Sequence, residues 1–209
     1  MNVSSNFKKV CARSFLALTA SLMLCSNVFA AGDPVGVLNS VANQLIEKLK
    51  ANQTSLHDNP QLVYSLADRI VVPHADVAEM AKRVLPPQTW NSATPVQRSK
   101  FEHEFSTLLV HTYASALANY SDQTVKFFPV RGGVQGNTVQ VDSKIERADG
   151  PPISVTYRMV NRDGTWKIFD MSVEGVSMLE SFRSQFSDLL SQGNMAALLD
   201  RLSSHNTAQ

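Results

Sequence analysis

Residues 153–173 read ISVTYRMVNRDGTWKIFDMSV, and the fold turns on this stretch. Ile153, Val155, Tyr157 and Met159 alternate with Ser154, Thr156 and Arg158. That period of two belongs to a strand with one apolar and one wet face. Asp163-Gly164 punctuates the run, and a second strand-like segment covers Thr165 to Val173. The pattern extends upstream over Thr124 to Val130 and Asn137 to Arg147, where Val139, Val141 and Ile145 alternate with Gln140, Asp142 and Lys144. Gly132-Gly133 and Asp149-Gly150-Pro151 separate these runs. Four strands joined by short connections predict an antiparallel meander.

Helical periodicity flanks the strands. Asp33-Pro34 reads as an N-cap followed by proline at the first helical position, with Leu38, Val41, Leu45 and Leu49 behind it. Asn59-Pro60 repeats the signal ahead of Leu62, Val63, Leu66 and Ile70. Pro73 ends that helix, a short one is expected from about Ala75 to Val84, and Pro86-Pro87 breaks the chain. Thr94-Pro95 opens the longest helix, with Gln97 completing a capping box. Phe101, Phe105, Leu108, Leu109, Thr112, Tyr113, Ala116, Leu117 and Tyr120 form its wide apolar face, expected to lie on the sheet. After Gly175 the pattern is helical again, with Leu179, Phe182, Phe186, Leu189 and Leu190 on one stripe. Gly193 stops it, and Met195 to Leu202 makes a last short helix. The expectation is an α+β fold: several helices on one face of a twisted four-stranded antiparallel sheet, with an apolar cavity between the layers.

The first thirty residues read as a signal peptide outside the fold. Lys8, Lys9 and Arg13 precede a short apolar run from Phe15 to Leu24, and Val28-Phe29-Ala30 places small residues at the cleavage positions. Ten apolar residues fall short of the about 20 needed to span a bilayer. Leu24 before Cys25 argues against a lipoprotein signal. Cleavage after Ala30 leaves one domain, residues 31–209, with helices over 33–120, sheet over 124–173 and helices over 176–203. That domain has no cysteine, so disulfides and thiolate chemistry are excluded. Loss of the three basic residues takes the 19 Lys+Arg to 16 against 18 Asp+Glu, a formal charge of −2. Nucleic-acid binding, which wants a concentrated basic face, is not favoured.

Catalytic and metal motifs are sparse. His103 and His111 share the long helix, but Thr107 stands where an HExxH pair needs its second histidine. His57, His74 and His205 fall in or near predicted loops and termini. Gly175-Val176-Ser177 is half a nucleophile elbow, with Leu179 replacing the second glycine; Ser177 reads better as a helix N-cap with Glu180. Gly132-Gly133 and Gly136 precede no helix, so they mark a turn, not a phosphate cradle. Asp142, Glu146 and Asp170 are candidate general bases, and Asp170, between Phe169 and Met171, reads best as a hydrogen-bonded structural carboxylate. By spacing, Phe105, Tyr113, Tyr157, Phe169 and Met171 suit either a core or a pocket lining.

The segment Trp166-Lys167-Ile168-Phe169-Asp170, followed by Glu174-Gly175-Val176-Ser177, resembles the WK-hydrophobic-aromatic-D…EGVS signature of the MlaC family, the toluene tolerance or Ttg2-type periplasmic proteins. Arg183 and Phe186 stand where that family has an R-x-x-F helix, and Gly193 with Leu198 and Leu202 resembles its ending. Arg83, Trp90, Phe101, Phe105, Leu108 and Tyr113 resemble its long-helix segment, while Val139, Val141 and Tyr157 match its strands. Pro86-Pro87 follows Leu85 where the family commonly has Leu-Gly.

The resemblance implies a soluble periplasmic phospholipid carrier, not an enzyme, that maintains outer-membrane lipid asymmetry. Its implied partners are an outer-membrane lipoprotein–porin complex of the MlaA type and the MCE-domain ring of an inner-membrane ABC transporter of the MlaD type. Phospholipid is cargo, and neither cofactor nor metal is implied. Exposing two acyl chains to water costs on the order of 20 kcal/mol, so a carrier needs an apolar enclosure above all. The tails are expected between the long helix (Phe105, Leu108, Leu109, Tyr113) and the sheet (Val139, Val141, Val155, Tyr157, Phe169, Met171). Two other readings compete. One is an exported small-ligand enzyme of isomerase or dehydratase type on a cone-shaped α+β fold, using Asp170 with a tyrosine such as Tyr157. The other is a periplasmic lipoprotein chaperone with an open apolar groove. The signal reading predicts a mature chain starting at Ala31, and a lipid-bearing N-terminus at Cys25, found by mass spectrometry of the native protein, would overturn it.

Overall fold

The computed structural model describes residues 32–56, 59–118, 123–147, 150–191 and 193–208. The predicted signal segment with Cys11, Cys25 and the Ala31 start, together with His57 and the Tyr120 helix end, lies outside them.

Each helix begins where the capping chemistry says it should. Helix α1 (Pro34–Ala51) follows Asp33, whose carboxylate accepts from the backbone N–H groups of Val35 and Gly36. After a single turn, α2 (Gln53–Leu56), helix α3 (Pro60–Ile70) is capped by Asn59 accepting from the Leu62 N–H. Pro73 falls in a 3₁₀ turn over Val72–His74, and α4 (Val77–Val84) is capped by Asp76. The Pro86-Pro87 break is itself the start of a short helix, α5 (Pro87–Ser92), because proline is well suited to the first helical position. Helix α6 (Pro95–Ala118) opens with the expected reciprocal box: the Gln97 N–H donates to Thr94 Oγ1 at 3.2 Å, and Gln97 Oε1 accepts from the Thr94 N–H at 2.9 Å.

The sheet runs β1 (Thr124–Phe127), β2 (Thr138–Glu146), β3 (Ile153–Arg162), β4 (Thr165–Val173) and β5 (Val176–Ser177), antiparallel and in sequence order. It has five strands where the sequence pattern predicts four. The extra strand comes from a second two-residue hairpin. Asp163-Gly164 turns with φ of 52° and 87°, and Glu174-Gly175 turns the same way with 49° and 82°. Positive φ at both positions defines the tight turn that matches strand twist, and Glu-Gly is a weaker signal for it than Asp-Gly. Helix α7 (Met178–Ser191) follows directly, and α8 (Met195–Thr207) continues past the expected Leu202 end, so His205 is helical.

Helix α6 packs chiefly against α3, α4 and α8 rather than directly on the strands. Its 3.6-residue stripe specifies a buried side without naming the partner. Phe101 and Phe105 of α6 meet Phe182 and Phe186 of α7, each pair spaced four residues apart. The Phe101 and Phe105 rings stack at 5.7 Å, and Phe105 meets Phe182 and Phe186 edge to face at 5.4 and 5.7 Å. Helix α4 is tied to the sheet by charge. Arg162 at the end of β3 donates to Asp76 at 2.6 Å and Glu79 at 2.9 Å, and Glu79 also pairs with Arg83. Replacing Phe105 by alanine should remove the centre of the ring cluster and cost about 3–5 kcal/mol, read as a fall in the urea midpoint.

Candidate functional site

Strand register sorts the candidate residues. Val141 lies opposite Tyr157, which lies opposite Met171; Val139 pairs with Met159, and Val155 pairs with Val173. Val139, Val141, Val155, Tyr157 and Met171 therefore occupy neighbouring cross-strand positions on one face of the sheet. Val141 and Val155 are 0% and 3% exposed. Leu38, with half-buried Val35 and Val37 of α1, packs into the cluster that holds Val139, Val141, Tyr157, Met159 and Trp166.

Phe169 does not share that face. The ladder pairs Arg158 with Asp170 but Met159 with Ile168, so Phe169 is the extra residue of a β-bulge. The bulge changes the alternation: Trp166 and Ile168 before it and Met171 after it lie on the same face of the sheet. Phe169 joins Phe105, Leu108, Leu109 and Tyr113 in the core built with α4, α7 and α8. The ten residues expected to line one site thus divide into two sets of five on opposite sides of the sheet. The interlayer space on the helix side is filled by packed rings. Helices contact the sheet from both sides, α1 from one and α4 and α7 from the other, which refines the one-face expectation. The pattern missed Leu38 and Trp166 as neighbours of Val141; the adjacent apolar pair Ile168-Phe169 is the signal that alternation shifts there.

Among the described residues two open, shallow surface grooves stand out. One, of about 570 Å³, lies between α5 and the α7–α8 turn and includes Gln88, Ser92, Leu190 and Met195. The other, of about 380 Å³, lies where the β1–β2 connection crosses β2. Val130 and Val139 form its apolar part, and Arg131, Gln135, Gln140 and Asp142 give it a polar rim.

Asp170 is 1% exposed and fully engaged. Its carboxylate accepts from Ser177 Oγ at 2.9 Å, from the Leu179 N–H at 3.2 Å and from its neighbour Met171 N–H, with Arg158 at 3.4 Å. Ser177 also caps α7, its Oγ accepting from the Glu180 N–H. This is the structural role expected of both residues. The acid–base pair of Asp170 with Tyr157 is not assembled. Asp170 sits across from Arg158, whose side chain leaves β3 on the side opposite Tyr157. Burial pushes the Tyr157 hydroxyl above the ordinary tyrosine value, while its hydrogen bond with Ser143 pulls it down.

His103 is exposed on α6, and His111 lies beside Tyr64 of α3 with ring centroids 4.2 Å apart. Gly132, Gly133 and Gly136 lie in the β1–β2 connection, with no helix N-terminus behind them. Among the described residues no group of three or more His, Cys, Asp or Glu is placed to hold a metal ion, and no helix is long and apolar enough to cross a membrane. Asp170→Asn turns a carboxylate surrounded by donors into a group that must itself donate. The expected result is a loss of about 1–3 kcal/mol in denaturant unfolding. A folded variant that lost turnover of some metabolite would instead make Asp170 catalytic.

Comparison with known proteins bears on the whole of this arrangement. The model of the MlaC protein family matches residues 39–204. The toluene tolerance protein ttg2D of Pseudomonas putida is 29% identical over 178 residues, covering 85% of this chain and 81% of that protein. The intermembrane phospholipid transport system binding protein MlaC of Haemophilus influenzae is 27% identical over 188 residues, covering 88% and 87%. A phospholipid-binding protein from Ralstonia solanacearum, solved in complex with a phospholipid, shares the fold with a TM-score of 0.78 and 29% identity, over 85% of this chain and 98% of that one.

Proposed function

This chain belongs to the MlaC protein family, and on that premise we propose that it is a periplasmic phospholipid carrier. The observation that carries the reading is the structural likeness to a protein solved with phospholipid bound, over nearly all of that protein's length. The sheet supports it locally. Val139, Val141, Val155, Tyr157 and Met171 form an apolar strip on one face, five side chains across three strands, and α1 packs over its Val139, Val141 and Tyr157 part.

The strip, not the helix side, is the proposed seat of the acyl chains. Phe105, Leu108, Leu109, Tyr113 and Phe169 belong to a core already filled by four phenylalanine rings, and opening it would forfeit dense dispersion contacts. The α1 side is closed by one helix, whose Val35 and Val37 remain half-buried. Burying each methylene contributes about 0.8 kcal/mol, so contact along the strip offsets what the tails lose on leaving a bilayer. No nucleophile, metal or cofactor enters this work. In the cell, the carrier is proposed to be exported by its signal peptide and to shuttle between an outer-membrane lipoprotein–porin complex and the MCE-domain ring of an inner-membrane ABC transporter.

Native mass spectrometry of the protein purified from a bacterial host tests the reading. Co-purified phospholipid is expected, a bound acyl-peptide would favour a lipoprotein chaperone, and absence of any lipid would sink the carrier. The strip is tested by Val141→Trp and Val155→Trp. In a closed core such overpacking costs about 1–3 kcal/mol, whereas in a lipid seat the new ring takes the tail's place. The expected variants fold and carry several-fold less phospholipid. Variants that unfold, or that fold with a full complement of lipid, would move the seat elsewhere.

A further inference from the structure

Trp166 is 0% exposed, and its indole Nε1–H has no hydrogen-bond acceptor among the described residues. A buried donor left unpaired is costly, and native structures rarely keep one without a reason. Indole is donor-only, so no tautomer or amide flip relieves it. The side chains packed around it are apolar: Leu38, Val141 and Met159 fully buried, with Val139 and Ile168 partly so. The hydroxyl in the cluster, on Tyr157, makes no hydrogen bond with the indole. The other buried polar atoms without partners differ. Asn206 uses its amide N–H on Glu104, and His111 can exchange tautomers beside Tyr64.

Trp166 lies at the end of the sheet where the β1–β2 connection enters β2. Trp166 pairs with Asn161, whose N–H bonds to the Asn137 carbonyl at 2.7 Å, at the head of β2. Thr138 and Val139 follow and line the β1–β2 groove, and Val130 and Val139 belong both to that groove and to the Trp166 cluster. Through Val130 and Val139 the Trp166 cluster, with its unpaired donor and the apolar strip of Val141 and Tyr157, is continuous with the polar Arg131 and Gln135 of the β1–β2 connection, while Gln140 and Asp142 leave β2 on the opposite face of the sheet. A diacyl phospholipid joins a wet head group to hydrocarbon through ester carbonyls, which are acceptors that a lone buried donor can use. We propose that the Trp166 indole N–H donates to a glycerol ester carbonyl of the cargo, so that the carrier recognises the ester linkage whatever the head group. This rests on the carrier reading and on the tails lying along the strip.

The test compares dioleoyl phosphatidylglycerol with its diether analogue, which keeps head group and chains but lacks both carbonyls. Both are offered together to the wild-type protein and to Trp166→Phe, and loading is read by native mass spectrometry. The wild type should prefer the diester about tenfold, the ratio that one such hydrogen bond supplies, and the variant should load both about equally. Two tryptophans make a second readout direct: the Trp166 indole ¹⁵N–H resonance should shift with the diester and not with the diether, with Trp90 as reference. The wild-type ratio and resonance decide the matter even if the variant does not fold. Equal wild-type loading, or a variant that keeps the preference, overturns the ester contact and leaves the carrier intact. A wild type that loads neither lipid overturns the carrier reading and this inference with it.

Discussion

A single buried carboxylate holds the two halves of this fold together. Asp170 takes its hydrogen bonds from the tight β4–β5 hairpin through Ser177 and from the first turn of α7 through Leu179. A buried carboxylate is tolerable only when its oxygens have hydrogen-bond partners, and here they do. Because those donors come from three consecutive elements, their directions are fixed relative to one another. Helix α7 leaves the sheet at one angle, and Phe182 and Phe186 arrive where Phe101 and Phe105 of α6 can meet them. The core on the helix side therefore follows from a polar contact at the sheet.

The bulge beside Asp170 sets the second constraint. One extra residue in β4 lets Phe169 serve the helix core while Trp166, Ile168 and Met171 serve the α1 side. A regular strand would have kept Phe169 and Met171 together and left one side of the sheet short of apolar cover. Arg83 and Arg158 lie 4.6 and 5.1 Å from the Phe169 ring centre, so the displaced ring also organises charge at the surface. The two apolar compartments are unequal. One is a core of interlocked phenylalanine rings from α6 and α7; the other is a mixed aliphatic and aromatic strip beside α1. That inequality is why the α1 side, and not the ring core, is the proposed seat of the lipid tails.

Much of this was legible in the chain. The caps at Asp33, Asn59 and Thr94, the antiparallel order of the four long strands and the structural role of Asp170 with Ser177 are local facts, set by neighbours within a few residues or by period. The short helix after Pro86 and the strand after Gly175 were not legible. Proline reads equally as a breaker and as a first helical residue, and a two-residue strand has no period. The site was half legible. Val139, Val141, Val155, Tyr157 and Met171 do share a face, because alternation in the ladder holds there, but Phe169 departs because a bulge shifts the count by one.

The sequence alone determined which side of each element is apolar, where helices start, that the sheet is antiparallel, and, through the WK…D…EGVS motif, the family. Those follow from backbone geometry and short-range hydrogen bonding, which neighbouring residues control. Tertiary structure decided what each apolar side faces. It placed α4 and α7 between α6 and the strands, laid α1 over Val141 and Trp166, and left the Trp166 N–H buried without an acceptor among the described residues. Periodicity carries no information about partners, because a stripe of buried residues is satisfied by any complementary surface. Only the closing of the whole chain, with its loop lengths and the Asp170 anchor, selects one.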